Sequence, residues 1–332
     1  MATIYDVARR AEVSAATVSR VLNGHSSVDP QLAERVRVAV AELDYRPSAL
    51  ARNLRRSRTS LWAVIISDVG NPFFTSLVRG VEDVAQSSGY SVVLCNSDED
   101  PDKEANYVSV ALAEQVAGVI MSPSGQPAAA ARLLDAETPL VLIDRELPDV
   151  RADSVLVDNE HGAAEATAHL LSGGYQRIAC VTGPASVSTA RRRLRGYQLA
   201  IADGGGSYDE SLVRYGDFRE TGGYQAMAGL LDLPEPPDAV FVANNLMAVG
   251  ALECLRARGV TVPDQIGVVG FDDLPWSDLV RPPLTTVSQP TYELGQVAAQ
   301  LLTERINDRS REPTTVVLKT ELHVRATSRR PD

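Results

Sequence analysis

From Leu61 onward the chain alternates short β-rich runs with amphipathic helical stretches, and that alternation leaves few folds open. The β-rich runs are "LWAVIIS", "YSVVLC", "GVIMS", "PLVLID", "DSVLVD", "RIACVTG", "DAVFVAN" and "IGVVGFD". Helical spacing marks Phe73 to Ser88, Asp102 to Gln115, His161 to Leu171, Arg191 to Ala202, Thr221 to Leu231 and Ala248 to Arg258. Strands separated by helices form parallel sheets covered on both faces, an α/β architecture. The units are too many for one sheet and the alternation restarts near Asp158, so two similar lobes with a cleft between them are expected.

Ligands in such sheets bind beyond the carboxyl ends of the strands. Those ends carry Asn71, Phe73 and Phe74, then Asp144 and Arg145, Asp158 and Asn159, Arg191 and Arg193, Phe218, Asn244, Asp272 and Gln289. Planar carboxylate, amide and guanidinium groups pair with neighbouring hydroxyls, and aromatic rings cover the CH face of a sugar, so the set suits a neutral polyol. Surface loops are rich in Asp and Asn, so the coincidence over many strand ends carries this reading, not any one residue. No GxGxxG follows the first strand and no GxxxxGK[ST] occurs, so dinucleotide and nucleoside triphosphate sites lack their glycine loop. His161, Glu165 and His169 share a helical face without a third-ligand signature, and no GxSxG nucleophile is present. Neither a metal, a cofactor nor an enzymatic activity is expected.

The first 60 residues differ in charge and pattern. They hold ten Arg, no Lys and six Asp or Glu, about +4, within a chain of net charge −11. A basic head on an acidic body points to a polyanion met by the head alone. Thr3 and Asp6 mark one helix start, with Ile4, Val7, Ala8 and Ala11 as its apolar stripe. Ser14 caps a second helix carrying Val18, Val21 and Leu22, stopped by Asn23 and Gly24, and Asp29 with Pro30 opens a third. Two short helices joined by about three residues match the helix-turn-helix pattern, whose second helix enters the major groove. Ala15, Ala16 and Thr17 permit close approach to base edges, and Ser19 and Arg20 can reach phosphates or guanine. The alternative is a solvated face on an ordinary three-helix bundle.

Next comes "SALARNLRRSRTS", with Arg52, Arg55, Arg56 and Arg58 and little apolar surface, too short to hold a helix unaided. Leu50 and Leu54 would share one face of a helix formed on binding. A Leu beside arginines has the composition of a minor-groove wedge, with a plain basic linker as the alternative. Cys95, Cys180 and Cys254 are far apart in apolar runs and read as reduced core residues. No apolar run approaches about 20 residues and "MATIYDVARR" lacks a secretory h-region, so a cytoplasmic protein without membrane contact is expected.

The stretches "TIYDVARRAEVSAATVSRVLNG", "LDYRPSALARNLR", "NPFF", "IDR", "VDN", "TARRRLRGY", "NNLMAVGAL", "VVGFDD" and "PPLTTVSQP" occur in an order that resembles the lac-repressor (LacI/GalR) family of bacterial regulators over essentially the whole chain. The resemblance implies a helix-turn-helix head at 1–46, a hinge helix and linker at 47–60, and a two-lobed periplasmic-binding-protein-like core at 61–332. The first lobe is expected at about 61–157 and 287–315, the second at about 158–286 and 316–332. It implies a homodimer on double-stranded operator DNA, with contacts from Thr3, Tyr5, Ser14, Ala15, Ala16, Thr17, Ser19, Arg20, Asn23 and His25, a Leu54 wedge, and Ala51 and Arg55 beside it. It also implies a small sugar-like effector, ribose or a related pentose or nucleoside, held by Asn71, Phe73, Phe74, Asp144, Arg145, Arg191 or Arg193, Phe218, Asn244, Asp272 and Gln289. A sugar-binding protein without a regulatory role is the alternative. Two features depart from the family. The usual "AND" reads "ANN", with Asn245 in place of a carboxylate, and the chain ends without a leucine-heptad tail, so a dimer is expected, not a tetramer.

Overall fold

The computed structural model describes residues 2–22, 28–45 and 59–330. The chain divides into two compact units, Met1–Thr59 and Ser60–Asp332.

The first unit contains α1 (Ile4–Arg10), α2 (Ala15–Leu22) and α3 (Pro30–Glu42). A capping box starts α1, with Thr3 Oγ1 accepting from the Asp6 N–H at 3.3 Å and Asp6 Oδ2 accepting from the Thr3 N–H at 2.9 Å. Glu12, at φ +51°, makes the turn, and Ser14 Oγ then accepts from the Thr17 N–H at 3.1 Å to start α2. Asp29 caps α3 ahead of Pro30. Val7, Ala8, Ala11, Val18, Val36 and Ala39 form a small core. Arg35 ties α3 to the turn by donating from Nη2 to the Ala11 carbonyl at 2.6 Å. Asn23, His25, Ala51, Leu54 and Arg55 lie outside the described residues, as does the expected hinge helix and linker at 47–60 except for Thr59 and Ser60.

The second unit contains twelve strands among its described residues: β1 (Leu61–Ile66), β2 (Ser91–Asn96), β3 (Gly118–Met121), β4 (Leu140–Ile143), β5 (Asp153–Val157), β6 (Ile178–Thr182), β7 (Val213–Tyr215), β8 (Ala239–Val242), β9 (Gly267–Phe271), β10 (Thr285–Ser288), β11 (Thr315–Leu318) and β12 (Glu321–His323). They build two six-stranded sheets, ordered β11-β5-β4-β3-β1-β2 and β12-β10-β9-β8-β6-β7. Every pairing is parallel except β10 with β12. Between the strands run α4 (Pro72–Ser87), α5 (Pro101–Ala113), α6 (Ala128–Asp135), α7 (Asn159–Ser172), α8 (Ser188–Asp203), α9 (Glu220–Leu231), α10 (Asn245–Ala257) and α11 (Thr291–Asn307). Side chains of Asn71, Asp100, Asp158 and Asn244 accept from first-turn N–H groups and start α4, α5, α7 and α10.

The inner strands of each sheet are buried on both faces, which is why they read as near-continuous apolar runs. Trp62, Ile120 and Val141 pack toward Leu77 and Leu302, while Ile65, Met121 and Leu142 pack toward Leu133 on the other side. The second lobe repeats this with Val181, Val240, Met247 and Leu255 on one face and Tyr197, Phe241 and Phe271 on the other. Cys95, Cys180 and Cys254 are free and buried.

The eight expected strands form, and with them β7, β10, β11 and β12, which the sequence reading did not name. The lobe boundaries need correction. Strand β10 keeps Thr285–Ser288 in the second sheet, whereas β11 keeps Thr315–Leu318 in the first by pairing with Ser154–Val157 of β5. The chain therefore passes between the lobes three times, after β5, after β10 and after β11, and only Lys319 and Thr320 separate β11 from β12.

Candidate ligand cleft and nucleic-acid face

Strands β1 and β6 sit where strand order reverses in each sheet, the position at which open α/β sheets leave a crevice beyond their carboxyl ends. The two crevices meet in one cleft. The first lobe lines it with Asp68, Asn71, Phe73, Phe74, Glu99, Asp144 and Arg145, and the second with Thr189, Arg193, Asp217, Phe218, Arg219, Asn244 and Asp272. Gln289 lines it from the second crossover.

Four of these residues have left-handed backbones: Glu99 at φ +60°, Asp144 at +67°, Phe218 at +64° and Asp272 at +73°. Such conformations cost about 1–3 kcal/mol for residues with a side chain and persist where the surroundings impose them. Asp144 directly follows β4 and Asp272 directly follows β9, so the reversal ends each strand and turns a carboxylate to the cleft. Phe73 and Phe74 meet edge to face with centroids 4.9 Å apart. Phe218 lies under Gly183, where an added Cβ would come within 2.2 Å of the ring.

The charged groups are held firmly. Arg145 donates from both Nη atoms to Glu99 at 2.5 and 2.7 Å and to the Pro123 carbonyl at 3.1 Å, and its Nε stands 3.5 Å from Asp144 Oδ2. Arg193 donates from Nε to Asn159 Oδ1 and from Nη1 to the Ala243 carbonyl, both at 2.7 Å, stacks 3.8 Å over Phe271, and lies 3.6 Å from Asp272. Asp272 also accepts from Gln289 Nε2. Burial pushes the Asp144 carboxyl up to about 6, against the pull of Arg145 and Arg193. Burial likewise raises Asp272, opposed by Arg193, and lowers the Arg193 guanidinium. Two buried lining atoms have no hydrogen-bond partner among the described residues: Gln289 Oε1, an acceptor, and Arg145 Nε, a donor. Five carboxylates against three guanidiniums leave the cleft short of positive charge.

The structure brings together ten of the eleven residues expected at the cleft. Arg191 is the exception: it is exposed and donates to the Ala185 and Ser186 carbonyls at 3.1 and 2.7 Å. Two residues along a helix turn about 200°, so Arg191 and Arg193 cannot share a face, and Arg193 is the arginine that enters. Asp68, Glu99, Thr189, Asp217 and Arg219 were missed. Glu99 follows β2, whose end the strand-end rule also covers, and Asp217 and Arg219 flank Phe218. His169 Nε2 lies 2.8 Å from Ser328 Oγ.

In the head, α2 exposes Ser14, Ala16 and Arg20 and half-buries Ala15, Thr17 and Ser19. Thr3 and Tyr5 are exposed at the start of α1. A short, largely small-residue face with one arginine is narrow enough for a major groove.

Comparisons with known proteins give matches over the same two units. Residues 3–48 match the family described as bacterial regulatory proteins, lacI family, and residues 167–328 match the periplasmic binding protein-like domain. Over 329 residues the chain is 36% identical to catabolite control protein A of Priestia megaterium, covering 98% of this chain and 99% of that one. It is 37% identical over 329 residues to the ribose operon repressor of Halalkalibacterium halodurans, covering 99% and 98%. A crystal structure of the lac repressor dimer bound to operator and the anti-inducer ONPF superimposes with a TM-score of 0.87 at 30% identity, covering 98% of this chain and 99% of that one.

Proposed function

Because the chain belongs to the lacI family of bacterial regulatory proteins, DNA-binding transcriptional repressors and not enzymes, we propose that it acts in the cytoplasm as a homodimer on a pseudo-palindromic operator. Its effector is a neutral polyol, ribose or a closely related pentose or nucleoside, bound between the lobes and acting as an inducer. No helix among the described residues is long and apolar enough to cross a membrane.

The observation that carries the effector reading is a pair of buried lining atoms without a hydrogen-bond partner among the described residues, Gln289 Oε1 and Arg145 Nε. A sugar hydroxyl both donates and accepts, so it can complete both. The phenylalanines supply faces for its CH groups, and the excess of carboxylates opposes a phosphate. The relative named ribose operon repressor favours the same class. Support for a dimer comes from apolar surface: edge strand β2 exposes Val93 and Leu94, and the loop after β9 exposes Trp276 and, at 74%, Leu279. Effector binding would change the angle between the lobes and, through the dimer, the spacing of the heads. A coupling of roughly 1–3 kcal/mol would change operator affinity about 5- to 150-fold.

A thermal-shift screen with D-ribose, D-xylose, adenosine, D-glucose and ribose 5-phosphate tests this, since a ligand bound only by the native state raises Tm. A rise with a neutral pentose or nucleoside is expected. A rise with ribose 5-phosphate alone would overturn the neutral-polyol reading.

A further inference from the structure

Among the described residues, hydrogen bonds join the lobes at three places, and the Arg145 guanidinium faces the Phe218 ring across the cleft at 5.6 Å. Glu146 gives its N–H to Ser188 Oγ at 3.1 Å, and its carboxylate takes two 2.8 Å hydrogen bonds from Arg192. Arg219 reaches the Asp98 carbonyl at 3.3 Å. The third contact is the most deeply buried: Asn245 Nδ2 donates to Asn71 Oδ1 at 2.9 Å, joining the first residue of α10 to the residue that caps α4. Asn71 is 5% exposed and Asn245 1%.

Backbone N–H groups, which can only donate, fix the direction of this bond. Asn71 Oδ1 already accepts from the Phe73 N–H at 3.0 Å, so the atom facing Asn245 is an oxygen. Asn245 Oδ1 accepts from the Leu246 N–H at 2.7 Å and from Asn244 Nδ2 at 3.3 Å, which leaves its own Nδ2 to cross the cleft. Asn244 Oδ1 in turn accepts from the Met247 N–H at 2.8 Å. The three amides form a one-way chain, Asn244 to Asn245 to Asn71, and a carboxylate at 245 has no hydrogen to pass on. The "ANN" sequence therefore supplies a donor where "AND" would supply a second acceptor.

We propose that Asn245 is a positioning residue, an amide latch that holds the two lobes closed over the cleft through Asn71. A hydrogen bond of typical net strength shifts the balance between closed and open lobes about fivefold. The consequence for effector response, closure at lower effector concentration than a carboxylate would allow, rests on the proposed function; the latch itself does not.

Hydrogen–deuterium exchange of the full-length, ligand-free protein tests it, with the Glu146 amide as reporter because its partner Ser188 belongs to the other lobe. Asn245→Ala and Asn245→Asp both remove the donor and should speed exchange of the peptide containing Glu146 about fivefold. Asn71→Asp keeps an oxygen facing Asn245 Nδ2 and should leave that exchange at the wild-type rate. The latch is overturned by an unchanged Glu146 amide in both Asn245 variants, or by equal loosening in Asn71→Asp and Asn245→Asp, which a purely local packing role would give. Using Ala beside Asp keeps the test decisive should the added charge unfold the chain. A failed ligand screen would leave this result standing, and a failed exchange test would leave the ligand reading standing.

Discussion

Replacing Gly183 with Ala puts a methyl group where the Phe218 ring lies. The new Cβ would stand 2.2 Å from two ring carbons and 2.8 Å from a third, whereas carbon atoms rest at about 3.5–4.0 Å. The ring must retreat by about 1.3–1.8 Å, yet it is 8% exposed and its backbone is held at φ +64°. Gly183 itself is not in the left-handed region, so the conflict is one of space alone. Overpacking of this kind costs about 1–3 kcal/mol, and at roughly 2–4 °C per kcal/mol the melting temperature should fall by about 2–12 °C. Displacing an aromatic face from the cleft should also weaken D-ribose binding severalfold by titration calorimetry. The decisive comparison repeats Gly183→Ala in a Phe218→Ala background, where its cost should drop below about 0.5 kcal/mol because the clashing ring is gone. An equal cost in both backgrounds would refute the reasoning.

The carboxyl of Asp144, raised to about 6 in the folded protein, binds more protons folded than unfolded between about pH 4 and 6, so its contribution to stability falls as pH rises through that window. Thermal melts from pH 4 to 7.5 should show that Asp144→Asn removes this part of the slope; an identical slope in variant and wild type counts against the burial. Arg145→Ala and Asp272→Ala should leave operator binding in place and abolish its response to effector in gel-shift assays, and normal responses in both would mean the ligand binds elsewhere. Leu54→Ala should weaken binding to operator far more than to random duplex DNA, and equal loss on both would remove the wedge.

What the sequence made legible follows from how much each feature depends on its neighbours in space. Strands buried on both faces, such as Val119 to Met121, announce themselves as apolar runs, and caps such as Asn71 and Asp158 announce helix starts. Strand β11 does not: its residues alternate between exposed and half-buried, and its place beside β5 rather than beside β12 is decided by the crossover at Lys319 and Thr320, a tertiary choice. Helix α6, "AAAARLLD", is only eight residues long and starts after Pro127 without a side-chain cap, so no start signal announces it. Arg191 and Arg193 were indistinguishable until α8 had a start, because helical phase follows from the first residue. Glu99 and Asp217 lay within reach of the strand-end rule that found Asp144. The reach of Asn245 to Asn71, 174 residues apart, depended on knowing that the two lobes meet.

The most direct test of the account is fluorescence anisotropy of a palindromic operator, selected from random duplex DNA, bound by the full-length protein while D-ribose, D-xylose or adenosine is titrated in. Operator affinity should fall about 5- to 150-fold with one of these neutral ligands and stay constant in Arg145→Ala. Operator affinity that no neutral sugar or nucleoside changes would contradict a polyol-controlled repressor.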